Sequence, residues 1–315
     1  MEAGDAAEAA DDLLAAARVG AQLQASRATL IEQLVGMAIS SLAEKPLREL
    51  AASEALSPQD LLRIQQALAG AFAGSYPTID YRLERYCFLD ITQRCFTKGG
   101  PGGGQLIPDE FRDLLDFAGA GMRDHQLLLM MASPLTAGRD ATVAKAMEFY
   151  DMADRVAEMT PYEARKEDAR QWVDTYVDDT SYRYPLVRMF IPSLLRASEL
   201  SWRARAEREA TLTIFALQRR RRDKGAYPKT LHELAGEQYI DALPQDPYSD
   251  GTLVYKPRDG GFILYSVGHD FEDNGGTTKP PLNDAWKGWN HLDGEDYIFW
   301  PPPDRPPVET QPADE

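Results

Sequence analysis

Apolar and polar positions recur along the first two-thirds of the chain with a helical period. Leu30, Ile31, Leu34, Val35, Ala38, Ile39 and Leu42 follow one another at spacings of one, three and four, which puts a wide apolar stripe on one face of a helix. Ser57-Pro58 matches an N-cap followed by proline at the first helical position, and Leu61, Ile64, Leu68 and Phe72 carry the next stripe. Tyr76-Pro77 breaks it. A third helix is predicted from about Ile79 to Phe96, with Leu83, Tyr86, Cys87 and Ile91 inward. Gly99 to Gly104 reads as a flexible loop. Asp109 to Ala118 has the apolar positions of a short helix, Phe111, Leu114, Leu115 and Phe117. The apolar run Leu127 to Met131 is open between a buried helix and a strand. Val143, Met147, Tyr150 and Met152 mark a further helix, and Thr160-Pro161-Tyr162-Glu163 has the form of a capped helix entry. Tyr176 to Pro185 reads as a polar, aromatic connection.

A long helix is predicted from near Pro192-Ser193 to Asp223, roughly 30 residues and ~45 Å. Leu194, Leu195 and Ala197 belong with the helical part, and Leu212, Ile214, Phe215 and Leu217 with the C-terminal part. Arg219 to Arg222 and Lys224 close this helix before Gly225. Cations at a helix C-terminus suit its dipole, and glycine suits the left-handed residue after it. A patch for nucleic acid or acidic lipid is the sharper alternative. Past Gly225 proline, glycine, tyrosine and aspartate take over. Leu253-Val254-Tyr255 and Phe262 to Val267 read as two strands around a turn at Lys256 to Gly261, and Tyr297 to Trp300 is a further short apolar run. The fold class expected is α+β. A mostly helical domain covers residues 1–200, a long helix leads into a small antiparallel β-sheet domain over 201–300, and the proline-rich acidic tail 301–315 is extended or disordered.

Composition narrows the function classes. The 315 residues are 43% hydrophobic and 27% charged, which excludes a wholly disordered chain. Thirty-four basic residues against 50 acidic ones give a net charge of −16, which argues against a nucleic-acid partner and is compatible with cation binding. No apolar run approaches the ~18 residues of a membrane span. Met1 to Asp12 is acidic and alanine-rich, without the basic start or apolar stretch of a signal peptide, so the chain as written reads as soluble. Cys87 and Cys95, ~12 Å apart along one predicted helix, lie beyond the ~7 Å limit for a disulfide and read as buried thiols.

The strongest chemical constellation comes after the second strand. Ser266-Val267-Gly268-His269-Asp270 leads into Phe271-Glu272-Asp273-Asn274-Gly275-Gly276, with Asp284, Asp293, Glu295 and Asp296 after it. Calcium takes carboxylate and carbonyl oxygens, and a glycine-rich loop lets the backbone turn inward to supply them. The spacing is not that of an EF-hand. By spacing alone, a calcium loop and a merely solvated acidic loop both remain open. Other motifs are incomplete. His232-Glu233 lacks the second histidine of a zinc peptidase, and His125, His232, His269 and His291 are scattered. Gly99 to Gly104 lacks the Lys-Ser/Thr of a phosphate loop. Asp178-Asp179 are sequence neighbours, which do not face each other on a helix.

From about Ala210 to Trp300 the chain resembles the globular part of the major pseudopilin of type II secretion systems. The features come in order: Ala216-Leu217, then Asp223-Lys224-Gly225-Ala226-Tyr227-Pro228, Leu231, Leu234 and Tyr239-Ile240. Leu243-Pro244-Gln245-Asp246-Pro247-Tyr248 corresponds to the family's LPxDPW/F. Tyr255, Phe262 to Tyr265, Ser266-Val267-Gly268, Asp270, Gly275-Gly276 and Asp296-Tyr297-Ile298 complete the series. The resemblance implies one calcium ion in the loop after the last long strand. Its implied ligands are the Val267 carbonyl, Asp270 and Asp296, with Glu272 and Asp273 in the positions between. The insertion from Thr277 to Asp293 is longer than the family's. A pseudopilin also begins with an apolar membrane helix that this sequence lacks. The whole layout resembles a group of large bacterial proteins that often carry an upstream membrane helix, so the expectation is an internal start at Met1 and an extracytoplasmic or anchored location. The function expected is a non-enzymatic structural or interaction protein of a bacterial envelope or secretion-related system, with calcium as its ion and a protein as its partner. The alternatives are a helical module that binds a protein or peptide in a groove, and a metal-dependent hydrolase using the acidic loop.

Overall fold

A computed structural model of the chain describes residues 3–26, 29–72, 78–117, 136–180, 183–277 and 296–302. The fold is α+β: helices dominate, and a three-stranded antiparallel sheet lies near the C-terminus. Helix α1 (Ala3–Ala25) is built on small residues, with Ala6, Ala10, Leu14, Ala17 and Ala21 buried at helical spacing. The acidic, alanine-rich start is therefore a helix with a flat apolar face. Helix α2 (Leu30–Ala52) buries Leu30, Met37, Leu47 and Leu50 but leaves Ile31 and Leu42 72% and 75% exposed. Its apolar stripe is wider than the face the described residues cover. Helix α3 (Pro58–Gly70) starts at the expected N-cap, where Ser57 and Asp60 form a reciprocal capping box, and it buries Leu61, Ile64 and Leu68.

Helix α4 (Arg82–Cys95) turns a different face inward from the one expected. Phe88, Thr92 and Cys95 are buried, while Leu83, Tyr86 and Cys87 are exposed. The Phe88 ring sets this rotation by packing edge-on against Tyr150 and Phe190, at centroid distances of 6.2 and 5.7 Å. Only one of the two cysteines is thus a buried thiol. The glycine segment is more ordered than a flexible loop. Phe96 pairs with Leu106, Thr97 N donates to Gln105 O at 2.8 Å, and Pro101–Gly103 forms a 3₁₀ turn. Helix α5 (Pro108–Phe117) buries Phe111 and Leu115. The run Leu127 to Met131 lies outside the described residues.

Helix α6 (Arg139–Glu158) buries Phe149, Tyr150 and Met152. The predicted entry at Thr160 opens α7 (Pro161–Lys166) with a capping box to Glu163. Helix α8 (Ala169–Thr180) occupies the first part of the expected connection, because Tyr176 is drawn in against Phe149, ring centroids 5.4 Å apart. The long helix α9 (Pro185–Lys224) has 40 residues and starts earlier than expected, on a proline suited to a first turn. After α10 (Leu231–Gly236) come β1 (Val254–Arg258), β2 (Gly261–Ser266) and β3 (Tyr297–Trp300), in the order β1-β2-β3. Arg258 pairs with Gly261, so the turn is only Asp259-Gly260 and the strands run further than the sequence suggested.

Two compact units result, and neither follows the linear division at residue 200. One contains residues 1–18, 40–74 and 204–315, the other 19–39 and 75–203. The first unit has one apolar core that joins Ala10, Leu14, Leu47, Leu61 and Ile64 to Phe215 and Leu217 of α9 and to Phe262, Leu264 and Phe299 of the sheet. The reason is physical: a three-stranded sheet cannot bury its own apolar face and needs a second layer. The second unit is centred on Tyr81, Phe88, Phe149, Tyr150 and Leu194, with the Tyr81 hydroxyl donating to Leu194 O at 2.7 Å.

Candidate functional site

Strand β2 ends at Ser266, which pairs with Tyr297 at the start of β3, so Asp296 stands beside the point where the acidic loop departs. Beneath the loop lies the segment Leu243 to Tyr248, fixed by Leu253 N donating to Pro244 O at 2.9 Å and Asp246 N donating to Gly251 O at 3.1 Å. Asp246 is buried and accepts from Ser266 Oγ at 2.7 Å, Val267 N at 3.0 Å and Tyr248 N at 3.0 Å. Burial pushes its carboxyl above the ordinary range. These three donors work against that rise, and the like charge of Asp296 adds to it. The fully buried Tyr248 ring meets His269, Tyr297 and Phe271 at 5.1, 5.4 and 6.2 Å. The proline-flanked aspartate and the tyrosine are therefore the anchor and the plug of the loop's base.

Within the loop, Asn274 is held from two sides. Its side-chain Nδ2 donates to Asp270 Oδ2 at 2.7 Å, and its backbone N donates to Asp296 Oδ1 at 3.3 Å. Asp296 Oδ2 accepts from Gly276 N at 2.7 Å, and Asp270 Oδ1 accepts from Glu272 N at 3.0 Å. Gly276 has a φ of +75°, and a Cβ there would lie 2.4 Å from Ile263 Cδ1. Only glycine lets the loop settle on β2 at that point. Asp296 is buried, and burial raises its carboxyl pKa. The N–H groups of Gly276 and Asn274 oppose that rise and Asp273 adds to it. Asp273 faces elsewhere: its Oδ1 accepts from Tyr265 Oη at 2.5 Å and Gly275 N at 2.9 Å and lies 3.5 Å from Lys256 Nζ. The Tyr265 hydroxyl holds the Asp273 carboxyl below its usual value.

Of the five ligand positions drawn from the sequence, Asp270 and Asp296 come together around Asn274. Asp273 turns to Tyr265 and Lys256, and Glu272 is exposed; Val267, whose carbonyl is the expected ligand, donates its N–H to Asp246 and so stands at the base of the loop. Among the described residues no group of three or more His, Cys, Asp or Glu side chains is arranged to hold a metal. Asp284, His291, Asp293 and Glu295 lie outside the described residues. Asp270 and Asp296 present only oxygen donors, the type a hard cation such as calcium takes, and in this structure their four carboxylate oxygens accept from Glu272 N, Asn274 Nδ2, Asn274 N and Gly276 N.

The arginine run has a role that the dipole argument missed. Arg219 donates to Gln65 Oε1 at 2.8 Å and to Tyr239 O at 3.2 Å. Arg220 pairs with Glu237 and Glu233 at 2.8 and 3.3 Å, and Arg221 with Glu54 at 2.9 Å. Arg222 reaches the carbonyls of Leu56, Ser53 and Ala51. The signal was present: four consecutive residues on a helix point in four directions about 100° apart, so they do not share one solvent face. A related centre lies deeper. Arg208 donates to the carbonyls of Leu68 and Ala69, stands 4.2 Å over the Phe72 ring, and lies 3.5 Å from Glu44 Oε1. Burial pushes the Glu44 carboxyl up to about 7, against the pull of Arg208 and Arg48. Comparison of the chain with protein-family models, curated proteins and solved structures finds no match in any of the three.

Proposed function

We propose that this chain is a non-enzymatic structural or interaction protein of a bacterial envelope or secretion-related system, and that its C-terminal sheet is a pseudopilin-like module tied by calcium. The observation that carries the reading is the pair Asp270 and Asp296, separated by 26 positions in sequence and gripping the same residue, Asn274, beside the start of β3. The buried Asp246 behind the loop adds a like charge that a divalent cation would offset. Asp270 and Asp296 would hold the ion, which would supply charge neutralisation and crosslink the loop to the closing strand.

The test is the melting temperature of the full chain with calcium, with magnesium and with a chelator. For a site in the ~0.1–1 mM range, about 10 mM calcium adds roughly 1.4–2.7 kcal/mol by mass action, which appears as a rise of about 2–4 °C. Asp270→Asn and Asp296→Asn are expected to lower the baseline and to abolish the calcium-dependent rise. A parent protein whose melting is the same in calcium and in chelator rules out the ion. A rise that survives in both variants places it elsewhere.

A further inference from the structure

We propose that the second unit carries a binding groove for a small phosphate-bearing organic ligand, between α4, the glycine loop and the start of α6, with Lys98 and Arg139 holding the anionic group. The groove has a volume of about 390 Å³, within the roughly 300–1,000 Å³ of small-molecule sites. Helix α4 contributes Leu89, Thr92 and Gln93, which share one face by their spacing. Helix α6 contributes Arg139 and Val143, one turn apart, and the loop contributes Lys98.

Charge selects the ligand class. In a chain of net charge −16, the two charged side chains that line this groove among the described residues are both cations. Asp140 Oδ1 lies 3.5 Å from Arg139 Nε, and both partners are solvent-exposed enough for water to weaken the pair. The same Oδ1 rests against Gly103, where a Cβ would lie 2.1 Å from it, so the aspartate packs on the loop while it faces Arg139. Shape fixes the positions of the two cations. Gly138 approaches Gly102 so closely that a Cβ would stand 2.7 Å from Gly102 O, and Arg139 N donates to Gly104 O at 3.0 Å. These contacts clamp the loop, and with it Lys98, onto the first turn of α6. The positive end of that 20-residue helix adds the same sign of potential, offset in part by Asp140 in its first turn. Two cations suit a phosphate monoester, which carries about −1.5 to −2 at pH 7, better than a monocarboxylate. Leu89 and Val143 give the groove an apolar wall for an organic body.

The probe is phenyl phosphate, titrated into the full chain while the backbone amides of Gly138 and Arg139 are followed by NMR, with inorganic phosphate and benzoate as parallel arms. Saturable shifts at about 1 mM phenyl phosphate or below are expected, with weaker binding of both other anions. Lys98→Ala and Arg139→Ala are each expected to weaken binding about tenfold, while Lys166→Ala, a cation of the same unit outside the groove, leaves it unchanged. Absence of saturation by about 10 mM, or equal affinity in the Lys98→Ala/Arg139→Ala double variant, overturns the site. Benzoate binding as tightly as phenyl phosphate overturns the phosphate assignment. None of these readouts involves the acidic loop, so calcium binding and groove binding succeed or fail separately.

Discussion

At Glu44 a single buried carboxyl couples stability to pH. It is buried with Arg208, Arg48, Glu207 and Thr211 around it, and its carboxyl is raised from 4.5 to about 7 because burial outweighs the nearby guanidinium groups. A carboxyl with a raised folded-state pKa binds its proton more tightly when folded. Its contribution is fully present below 4.5 and is lost as pH rises through 7. That loss amounts to at most about 3 kcal/mol. Glu44→Gln keeps the shape and removes the titration. Urea unfolding of the parent and of this variant at pH 5 and pH 8 is expected to show the variant gaining on the parent by about 1–3 kcal/mol between the two. An unchanged difference at the two pH values refutes the assignment. Residue roles of this kind were the least legible part of the sequence. Asp270 stood out because acid, glycine and asparagine cluster around it, whereas Asp296 was singled out through the resemblance. Asp246 was visible only as part of a motif, because its partners Ser266 and Val267 lie about 20 positions away and only the folded sheet brings them near.

At the scale of elements, the C-terminus of α2 depends on a helix far along the chain. Its last carbonyls have no partner within the helix, and Arg222 of α9 supplies one by reaching Ala51, Ser53 and Leu56. Arg221, one position earlier, pairs at the surface with Glu54, which is 71% exposed, and touches Tyr227, its Nη1 donating to the Tyr227 hydroxyl at 3.5 Å. The two substitutions Arg222→Ala and Arg221→Ala make the same change in net charge, so their difference sets the carbonyl contacts against an exposed ion pair and the Tyr227 contact. Chemical denaturation is expected to show a loss of about 2–3 kcal/mol for the first and under about 1 kcal/mol for the second. Equal losses contradict the capping role. Boundaries set by neighbouring residues were readable in advance: Ser57 with Asp60 and Thr160 with Glu163 are closed within a single turn. Facing was not readable in the same way. The inward side of α4 is set by where Tyr150 and Phe190 meet Phe88, and the 3.6-residue period fits several rotations equally well.

For the molecule as a whole, the decisive feature is that the C-terminal sheet shares its core with the N-terminal helices. Residues 201–300 look self-contained in sequence, with a helix end, a turn and three strands. Yet Phe262, Leu264 and Phe299 are buried in one cluster with Ala6, Ala10, Leu14, Leu47, Leu61 and Ile64. Without α1–α3 that side of the cluster returns to water, and a sheet of three short strands with α9 and α10 has little else to bury. The fragment 201–300 alone is therefore expected to melt without a cooperative transition, while the full chain keeps one. A milder change makes the same point without truncation. Leu14→Ala in the full chain should cost about 2–4 kcal/mol, and hydrogen exchange should show the loss at the Leu264 amide of β2 as well as in α1. If Leu14→Ala loosens α1 while β2 keeps its full protection, or if the isolated fragment unfolds cooperatively, then the sheet is an independent domain and the shared core does not govern its stability. The same coupling makes the full chain the proper object for the calcium measurement. Tightening the acidic loop at β3 would stabilise helices that lie more than two hundred residues earlier in the sequence, because all of them unfold against one core.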